Sequence, residues 1–341
     1  LVAGAGHYRN KAINLLSYML ISLGGIYTYV VFFLDPDGWA STMLNNGTEQ
    51  IGLPLALKKI KPDLLHCTSN TAPVYGNIPL VLTLHDIIFL EKKQGKNQSM
   101  YQRLGRFYRK IIVPQILTKC KRIITVSHFE CNRISHFLHI DKQLLVAVYN
   151  GYSQHFIPIR NAQAITARYI KNHPYLFFLG NTDPKKNTAR VLQAYRIYLK
   201  KSSQPLPLLI ADLKEEIIDE YLNREGLQEI KKMLYHPGYI PNTELPAVYS
   251  GASVFIYTSL RESFGIPILE AMACGTPVIT STTSAMPEIA GPEGILVNPF
   301  KPEEIASALL HLEENAEFYQ SQTAYGLERV RRFSWENTDR K

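Results

Sequence analysis

Eleven short apolar runs, separated by stretches of helical spacing, constrain this chain more than any other feature. In the first half they fall at Ile26 to Leu34, Leu64 to Cys67, Leu80 to Leu84, Arg122 to Val126 and Leu144 to Tyr149. In the second half they fall at Tyr175 to Leu179, Leu206 to Ala211, Met233 to Gly238, Ala252 to Tyr257, Thr276 to Thr280 and Gly294 to Val297. Strands alternating with helices imply parallel sheets wrapped on both faces, because a parallel crossover needs a helix-length connection. At 341 residues the chain exceeds one core, so the expected class is α/β, with two doubly wound Rossmann-like domains. The boundary is expected between residues 155 and 173, where no apolar period is visible. Ligands of such sheets sit beyond the carboxyl ends of the strands.

The most informative stretch follows the run that ends at Tyr257. It reads Arg261-Glu262-Ser263-Phe264-Gly265-Ile266-Pro267-Ile268-Leu269-Glu270 and continues to Gly275-Thr276-Pro277-Val278-Ile279. Pro needs no backbone donor at a first helical position and Gly closes a helix, so the spacing predicts a helix over Pro267 to Cys274 capped by Gly275. Glu262 then stands on the loop and Glu270 on the helix. The unpaired N–H groups and partial positive charge of a helix N-terminus suit a phosphate, carried by the loop Ser263 to Ile266. Two carboxylates beside that anion cannot be its ligands, but they accept hydrogen bonds from hydroxyl groups. Phosphate next to hydroxyls is the chemistry of a nucleotide sugar.

These residues closely resemble the donor site of glycosyltransferase family 4, also called glycosyl transferases group 1. The resemblance implies the GT-B architecture, two Rossmann-like domains facing across a cleft, and a retaining, nucleotide-sugar-dependent reaction. Residues 1–155 are then the acceptor-side domain, with its first strand expected to be truncated, and residues 156–320 the nucleotide-sugar-binding domain. Residues 321–341 form a C-terminal helix that returns toward the first domain.

Residue by residue, the resemblance makes Glu262 the catalytic carboxylate facing the donor sugar and Glu270 the group that holds the ribose hydroxyls. Ser263, Phe264, Gly265 and Ile266 line the diphosphate. Leu179-Gly180-Asn181-Thr182-Asp183-Pro184-Lys185-Lys186 resembles the diphosphate-binding element, with Lys186 and Lys185 supplying the charge because Asn181 stands where many relatives carry Arg. Gly238 and Tyr239 fall in the loop that meets the nucleobase. His85, in Thr83-Leu84-His85-Asp86, is a second catalytic candidate and equally readable as a structural histidine; Ser127 ends the next unit in the same way. Gly6, in Gly4-Ala5-Gly6-His7, belongs to the loop that approaches the donor phosphate or the acceptor, and His7 replaces an Arg common in relatives.

The implied activity is transfer of a hexosyl group from a UDP- or GDP-sugar to a hydroxyl of a glycan or polyprenyl-diphosphate-linked acceptor. No cofactor and no metal are expected, since Lys186 and the helix terminus take the diphosphate charge. A non-catalytic sugar-nucleotide or lipid-headgroup binder, and a GT-B epimerase or phosphorylase, remain alternatives.

Net charge is uneven. Residues 1–155 hold 17 Lys and Arg against 8 Asp and Glu, 17 − 8 = +9, whereas residues 156–341 hold 20 against 21, 20 − 21 = −1. From Lys92 to Arg122 no acidic residue occurs, and Arg103, Arg106, Arg109 and Lys110 interleave with Leu104, Phe107, Ile111 and Ile112. That is a basic amphipathic helix, with two readings: contact with an anionic membrane or phosphate-bearing acceptor, or a solvated face over a core. No nucleic-acid motif accompanies the charge. Four cysteines without a C-x-x-C pair suit a reducing compartment, and the expected location is cytoplasmic, peripheral on the inner face of the cell membrane. The uncharged segment Ala12 to Leu34 is long enough to span a bilayer, but Gly24-Gly25 divides it, so a helix, a turn and a strand are expected there.

Overall fold

A computed structural model describes residues 18–23, 26–31, 48–91, 100–171 and 174–339. By its internal contacts the chain divides into two compact units, residues 1–84 with 99–124 and residues 85–98 with 125–341.

The first unit contains β1 (Tyr18–Leu23), β2 (Ile26–Val31), α1 (Leu53–Ile60), β3 (Leu64–Cys67), β4 (Leu80–Thr83), α2 (Met100–Leu117) and β5 (Cys120–Thr125), whose last residue is grouped with the second unit. Its strands lie in the order β1-β2-β3-β4-β5. From β2 onward every pairing is parallel. One expectation is corrected here. The helix expected before Gly24-Gly25 is instead, over Tyr18–Leu23, a strand antiparallel to β2, with Leu23 opposite Ile26. An uncharged, mainly apolar run carries no decisive period, and a Gly-Gly dipeptide between two such runs is itself a hairpin signal, so the turn chemistry outweighs the helical spacing. Ala12 to Ser17 lie outside the described residues.

The second unit contains α3 (His128–Leu138), β6 (Leu145–Ala147), α4 (Gln163–Thr166), β7 (Tyr175–Leu179), α5 (Thr188–Lys201), β8 (Leu208–Ala211), α6 (Glu215–Glu225) and β9 (Leu234–Gly238). It continues with α7 (Leu245–Gly251), β10 (Ala252–Tyr257), α8 (Ile266–Ala273), β11 (Val278–Ser281), α9 (Met286–Ala290), β12 (Ile295–Val297), α10 (Pro302–Glu314), α11 (Ala316–Arg329) and α12 (Trp335–Asp339). Each of the eleven apolar runs thus holds or overlaps a strand.

The sheet of this unit is parallel throughout, in the order β12-β11-β10-β7-β8-β9. The chain builds outward from β7 to β9, returns to the middle at β10, and builds the other way. The order therefore reverses between β7 and β10, and the crevice at the ends of those two strands is where an open α/β sheet receives its ligand. Every residue of β8 and β11 is buried, as strands covered on both faces are; in β11 the buried Thr280 and Ser281 hydroxyls donate to the Tyr257 and Ser259 carbonyls. One core packs Phe177, Tyr249, Phe255 and Leu269; another packs Phe178, Leu192, Ile210 and Ile256.

Residues 125–155 are grouped by their contacts with residues 156–341. The reason is the C-terminal segment: Thr338 Oγ1 donates to the Tyr149 carbonyl at 2.6 Å, Tyr152 N–H to the Phe333 carbonyl at 3.4 Å, and Gln154 Nε2 to Glu336 at 3.0 Å. A Cβ at Gly151 would come within 2.5 Å of the Trp335 nitrogen, so only Gly admits that close approach. Among the described residues, no helix is long and apolar enough to cross a membrane.

Candidate functional site

The turn after β7 is built by its own polar side chains. Asn181 Oδ1 accepts from Asp183 N–H at 2.8 Å and Asp183 Oδ1 accepts from Lys185 N–H at 3.0 Å, starting a short 3-10 helix over Pro184–Lys186. Asn181 is therefore a turn-former. Asn187 then takes a left-handed conformation, φ 65°, and is buried; its amide donates to the Thr258 carbonyl at 3.0 Å and the Pro299 carbonyl at 2.7 Å. Leu260 N–H also donates to the Lys185 carbonyl at 2.6 Å. These bonds hold the β7 turn against the segment that leaves β10.

That juxtaposition brings two of the candidate residues together. Lys186 Nζ lies 2.7 Å from Glu262 Oε1, 3.4 Å from the Tyr257 hydroxyl and 5.4 Å from the Tyr257 ring centre. The Lys186 and Glu262 side chains are 24% and 15% exposed, so the pair is only partly screened by water. Lys185 stands beside it and faces Asp183 at 3.6 Å.

Glu262 leads into the predicted helix, which is observed as α8 with Gly265 as its N-cap. Gly265 has φ 112°, a value that L side chains rarely adopt, and a Cβ there would approach Ile268 Cδ1 to 3.1 Å. No side chain caps α8; Pro267 has no N–H and Ile268 N–H donates to the Gly265 carbonyl at 3.0 Å, so the donors left at this terminus are the N–H groups of Gly265 and Ile266. Phe264 is buried against Tyr149 and Phe333. Ile266 is half-buried, and the helix closes at Gly275, φ 80°.

Glu270 lies on α8 and accepts from the Tyr249 hydroxyl at 3.2 Å. Burial pushes its carboxyl up to about 7, against the smaller downward pull of that hydrogen bond. The buried Tyr257 phenol is held well above its usual range, first by burial, then by Glu262, with Glu270 adding a smaller push. Both carboxylates therefore push the same phenol, at the end of β10, upward.

A second layer holds the Glu262 loop, and sequence reasoning missed most of it. Ser284, in a left-handed conformation with φ 62°, accepts from Glu262 N–H and donates to the Glu262 carbonyl. Arg261 Nη1 donates to the same carbonyl at 3.0 Å, while its other nitrogens reach Glu130 at 2.6 Å and Glu91 at 3.0 Å. Its guanidinium also lies 5.0 Å from the Phe129 ring centre. Glu130 is fully buried, and burial pushes its carboxyl up to about 7, opposed by the charge and hydrogen bond of Arg261. Ser127 donates to the Ser263 carbonyl at 2.7 Å and caps α3 through Glu130 N–H, so it is a buried support. Glu288 caps the same helix through the N–H groups of His128 and Phe129 at 2.7 and 2.9 Å. Arg261 was adjacent to a named candidate, which is the one signal that pointed to it.

The remaining candidates are placed as follows. Gly238 has φ 78° and open space where a Cβ would project; its carbonyl accepts from Asp212 N–H at 2.8 Å, and Tyr239 beside it is 74% exposed. His85 is half-buried in the loop after β4, where Asp86 Oδ1 accepts from Ile88 N–H at 2.9 Å, and the same segment delivers Glu91 to Arg261. Gly6 and His7 lie outside the described residues. Among the described residues, no three His, Cys, Asp or Glu side chains are grouped so as to hold a metal ion.

Residues 27–155 match glycosyltransferase family 4 and residues 163–329 match glycosyl transferases group 1. An O-antigen chain mannosyltransferase B of Escherichia coli is 30% identical over 262 residues, covering 75% of this chain and 67% of that protein. The serotype-specific mannosyltransferase WbdA of the same organism is 24% identical over 307 residues, covering 85% of this chain but 37% of its own length. The chain thus spans about two thirds of the first of these curated relatives and little more than one third of the second. A sucrose-phosphate synthase from Thermosynechococcus elongatus shares the fold, with TM-score 0.68 at 20% identity over 84% of this chain and 73% of that one. The reversal between β7 and β10, the paired carboxylates of the Glu-x7-Glu stretch and both family matches lead to one assignment: the chain belongs to glycosyltransferase family 4 and has the GT-B fold.

Proposed function

We propose that this chain transfers a hexosyl group from a nucleoside diphosphate sugar to a hydroxyl of a glycan or polyprenyl-diphosphate-linked acceptor, with retention at the anomeric carbon. The observation that carries the reading is the 2.7 Å pairing of Lys186 with Glu262 beside the uncapped N-terminus of α8. Breaking the sugar–phosphate bond leaves charge on the diphosphate, and fixed donors aimed at that charge lower the barrier. Lys186, with Lys185 beside it, and the N–H groups of Gly265 and Ile266 at the start of α8 supply them. Glu262 receives hydroxyls of the sugar and Glu270 those of the ribose, both as acceptors. The diphosphate charge is met by protein groups alone, so turnover is metal-independent and needs no cofactor besides the donor.

The relatives named as mannosyltransferases support a hexosyl donor, with mannose the first sugar to test. Their names, which include an O-antigen chain enzyme, support polysaccharide synthesis as the setting. The proposed location is the cytoplasm, peripheral on the inner face of the membrane that carries the acceptor. Incubation with radiolabelled UDP- and GDP-hexoses, with and without a membrane extract, tests the proposal. Label must move to the extract; label that stays on donor in every pairing rejects it, and epimerised donor without acceptor points to an epimerase.

A further inference from the structure

Glu91 reaches two guanidinium groups with one oxygen. Its Oε1 accepts from Arg133 Nη2 at 2.8 Å and from Arg261 Nε at 3.0 Å, partners that lie 42 and 170 positions away in sequence. All three side chains are largely shielded from water, Arg261 most of all at 13% exposed. Neither arginine is free to follow a moving carboxylate. The Arg133 guanidinium lies 4.8 Å from the Phe137 ring centre and 5.7 Å from that of Phe129, and the Arg261 guanidinium lies 5.0 Å from the same Phe129 ring. A planar guanidinium packed on a ring offers its N–H groups in fixed directions, so the carboxylate is gripped by a rigid fork.

Each side of this contact leads to a candidate of the transfer site. On one side, Glu91 closes a short turn that starts at His85. Asp86 Oδ1 accepts from Ile88 N–H at 2.9 Å, Leu90 N–H donates to the Ile87 carbonyl at 2.9 Å and Glu91 N–H to the Ile88 carbonyl at 3.1 Å, while Ile87 and Phe89 are buried. A segment bonded to itself in this way moves as one piece, so the place of His85 follows that of Glu91. On the other side, Arg261 Nη1 donates to the Glu262 carbonyl at 3.0 Å and to Ser284 Oγ at 3.3 Å, and Ser284 Oγ accepts from Glu262 N–H at 3.0 Å. The backbone of Glu262 is therefore set by the orientation of Arg261. On the transfer reading above, we infer that Glu91 is a positioning residue: through Arg261 it fixes the segment that bears His85 to the loop that bears Glu262, so that the two keep one mutual geometry. Such a link bears on rate more than on binding, because a displacement of about 1 Å at a reacting group costs about 10²-fold even when its cause is remote.

The test compares the full chain with Glu91→Gln and Glu91→Ala by transfer kinetics, donor calorimetry, thermal melts and amide hydrogen exchange. Glu91→Gln keeps the side-chain volume and removes the charge, so it carries the comparison if Glu91→Ala does not fold. The expected result is a kcat lower by about tenfold in the first and up to about 10²-fold in the second, with donor Kd within about twofold of wild type. Exchange must rise across residues 85–91 and also across residues 261–266, where no residue has been changed. Arg261→Lys keeps the charge and loses the fork, so adding Glu91→Gln to it must lower kcat by less than about twofold more. A lowered melt with unchanged kcat, unchanged exchange across residues 261–266, or losses of kcat that add in full would make Glu91 a stabilising ion pair only and overturn the inference. A wild type that transfers no hexose rejects the transfer reading itself, and the exchange pattern then still decides whether Glu91 joins the two segments.

Discussion

Lys186 and Glu262 form an ion pair of 2.7 Å across 76 positions of sequence. The pair exists because β7 and β10 are neighbours at the point where the strand order reverses, so the turns that leave them meet. Each charge offsets the other where water is partly excluded. A diphosphate at the α8 N-terminus would draw Lys186 toward itself and release the Glu262 carboxylate to a sugar hydroxyl.

The two residues then fail differently. Lys186→Ala removes a cation from the leaving group, and kcat should fall about 10²- to 10³-fold, the range for losing one preorganised electrostatic donor. Glu262→Gln should produce a similar fall in kcat with little change in donor affinity, because its contact lies near the breaking bond. Steady-state kinetics and calorimetry on the single and double variants check this, and the two losses should not add.

For Glu270 the effect should be on donor affinity and should depend on pH. Burial lifts its carboxyl to about 7, and only the ionised form accepts fully from two ribose hydroxyls. Donor binding should therefore tighten as pH rises through about 7, with a proton released on binding. Glu270→Gln should flatten the profile, and Glu270→Ala should weaken binding at every pH. Calorimetric titrations across that range provide the check.

Arg261 and Glu130 should govern stability. The Glu130 carboxyl is pushed from 4.5 to about 7 in the folded chain, so the native state keeps a proton that the unfolded state gives up. Its contribution is fully present below about 4.5 and is lost as pH rises through about 7. Arg261→Ala removes the cation that opposes the shift and strands the buried carboxylate, at a cost of about 3–5 kcal/mol at neutral pH. The loss should shrink in acid, where the carboxyl takes up a proton. Urea midpoints of wild type and Arg261→Ala against pH measure this.

Chelation gives a separate test of how the diphosphate is neutralised. Transfer should survive EDTA undiminished, with Lys186 carrying the charge. A loss restored by Mg²⁺ or Mn²⁺ would move that role to a bound ion.

The strands were legible because a buried parallel strand must be apolar throughout, and the donor loop because Gly265 and Pro267 punctuate a helix whose flanks carry the acids. The support beneath that loop was not legible. Ser127 reaches Ser263 across 136 positions and Arg261 reaches Glu91 across 170, and nothing local in the sequence encodes such pairings. At Tyr18–Leu23 an uncharged run fitted either period, and the partner strand decided it. In α2 the spacing announced an apolar stripe but not which side would meet the core, a question that only packing answers.

The most direct test of the central claim is a donor screen read by mass spectrometry of the acceptor. Wild-type protein supplied with UDP- and GDP-hexoses and a lipid-linked glycan should yield an acceptor one hexose heavier and free nucleoside diphosphate, and Glu262→Gln should yield neither at a comparable rate. Donor that binds but transfers nothing, or a Glu262→Gln protein as fast as wild type, would contradict the account.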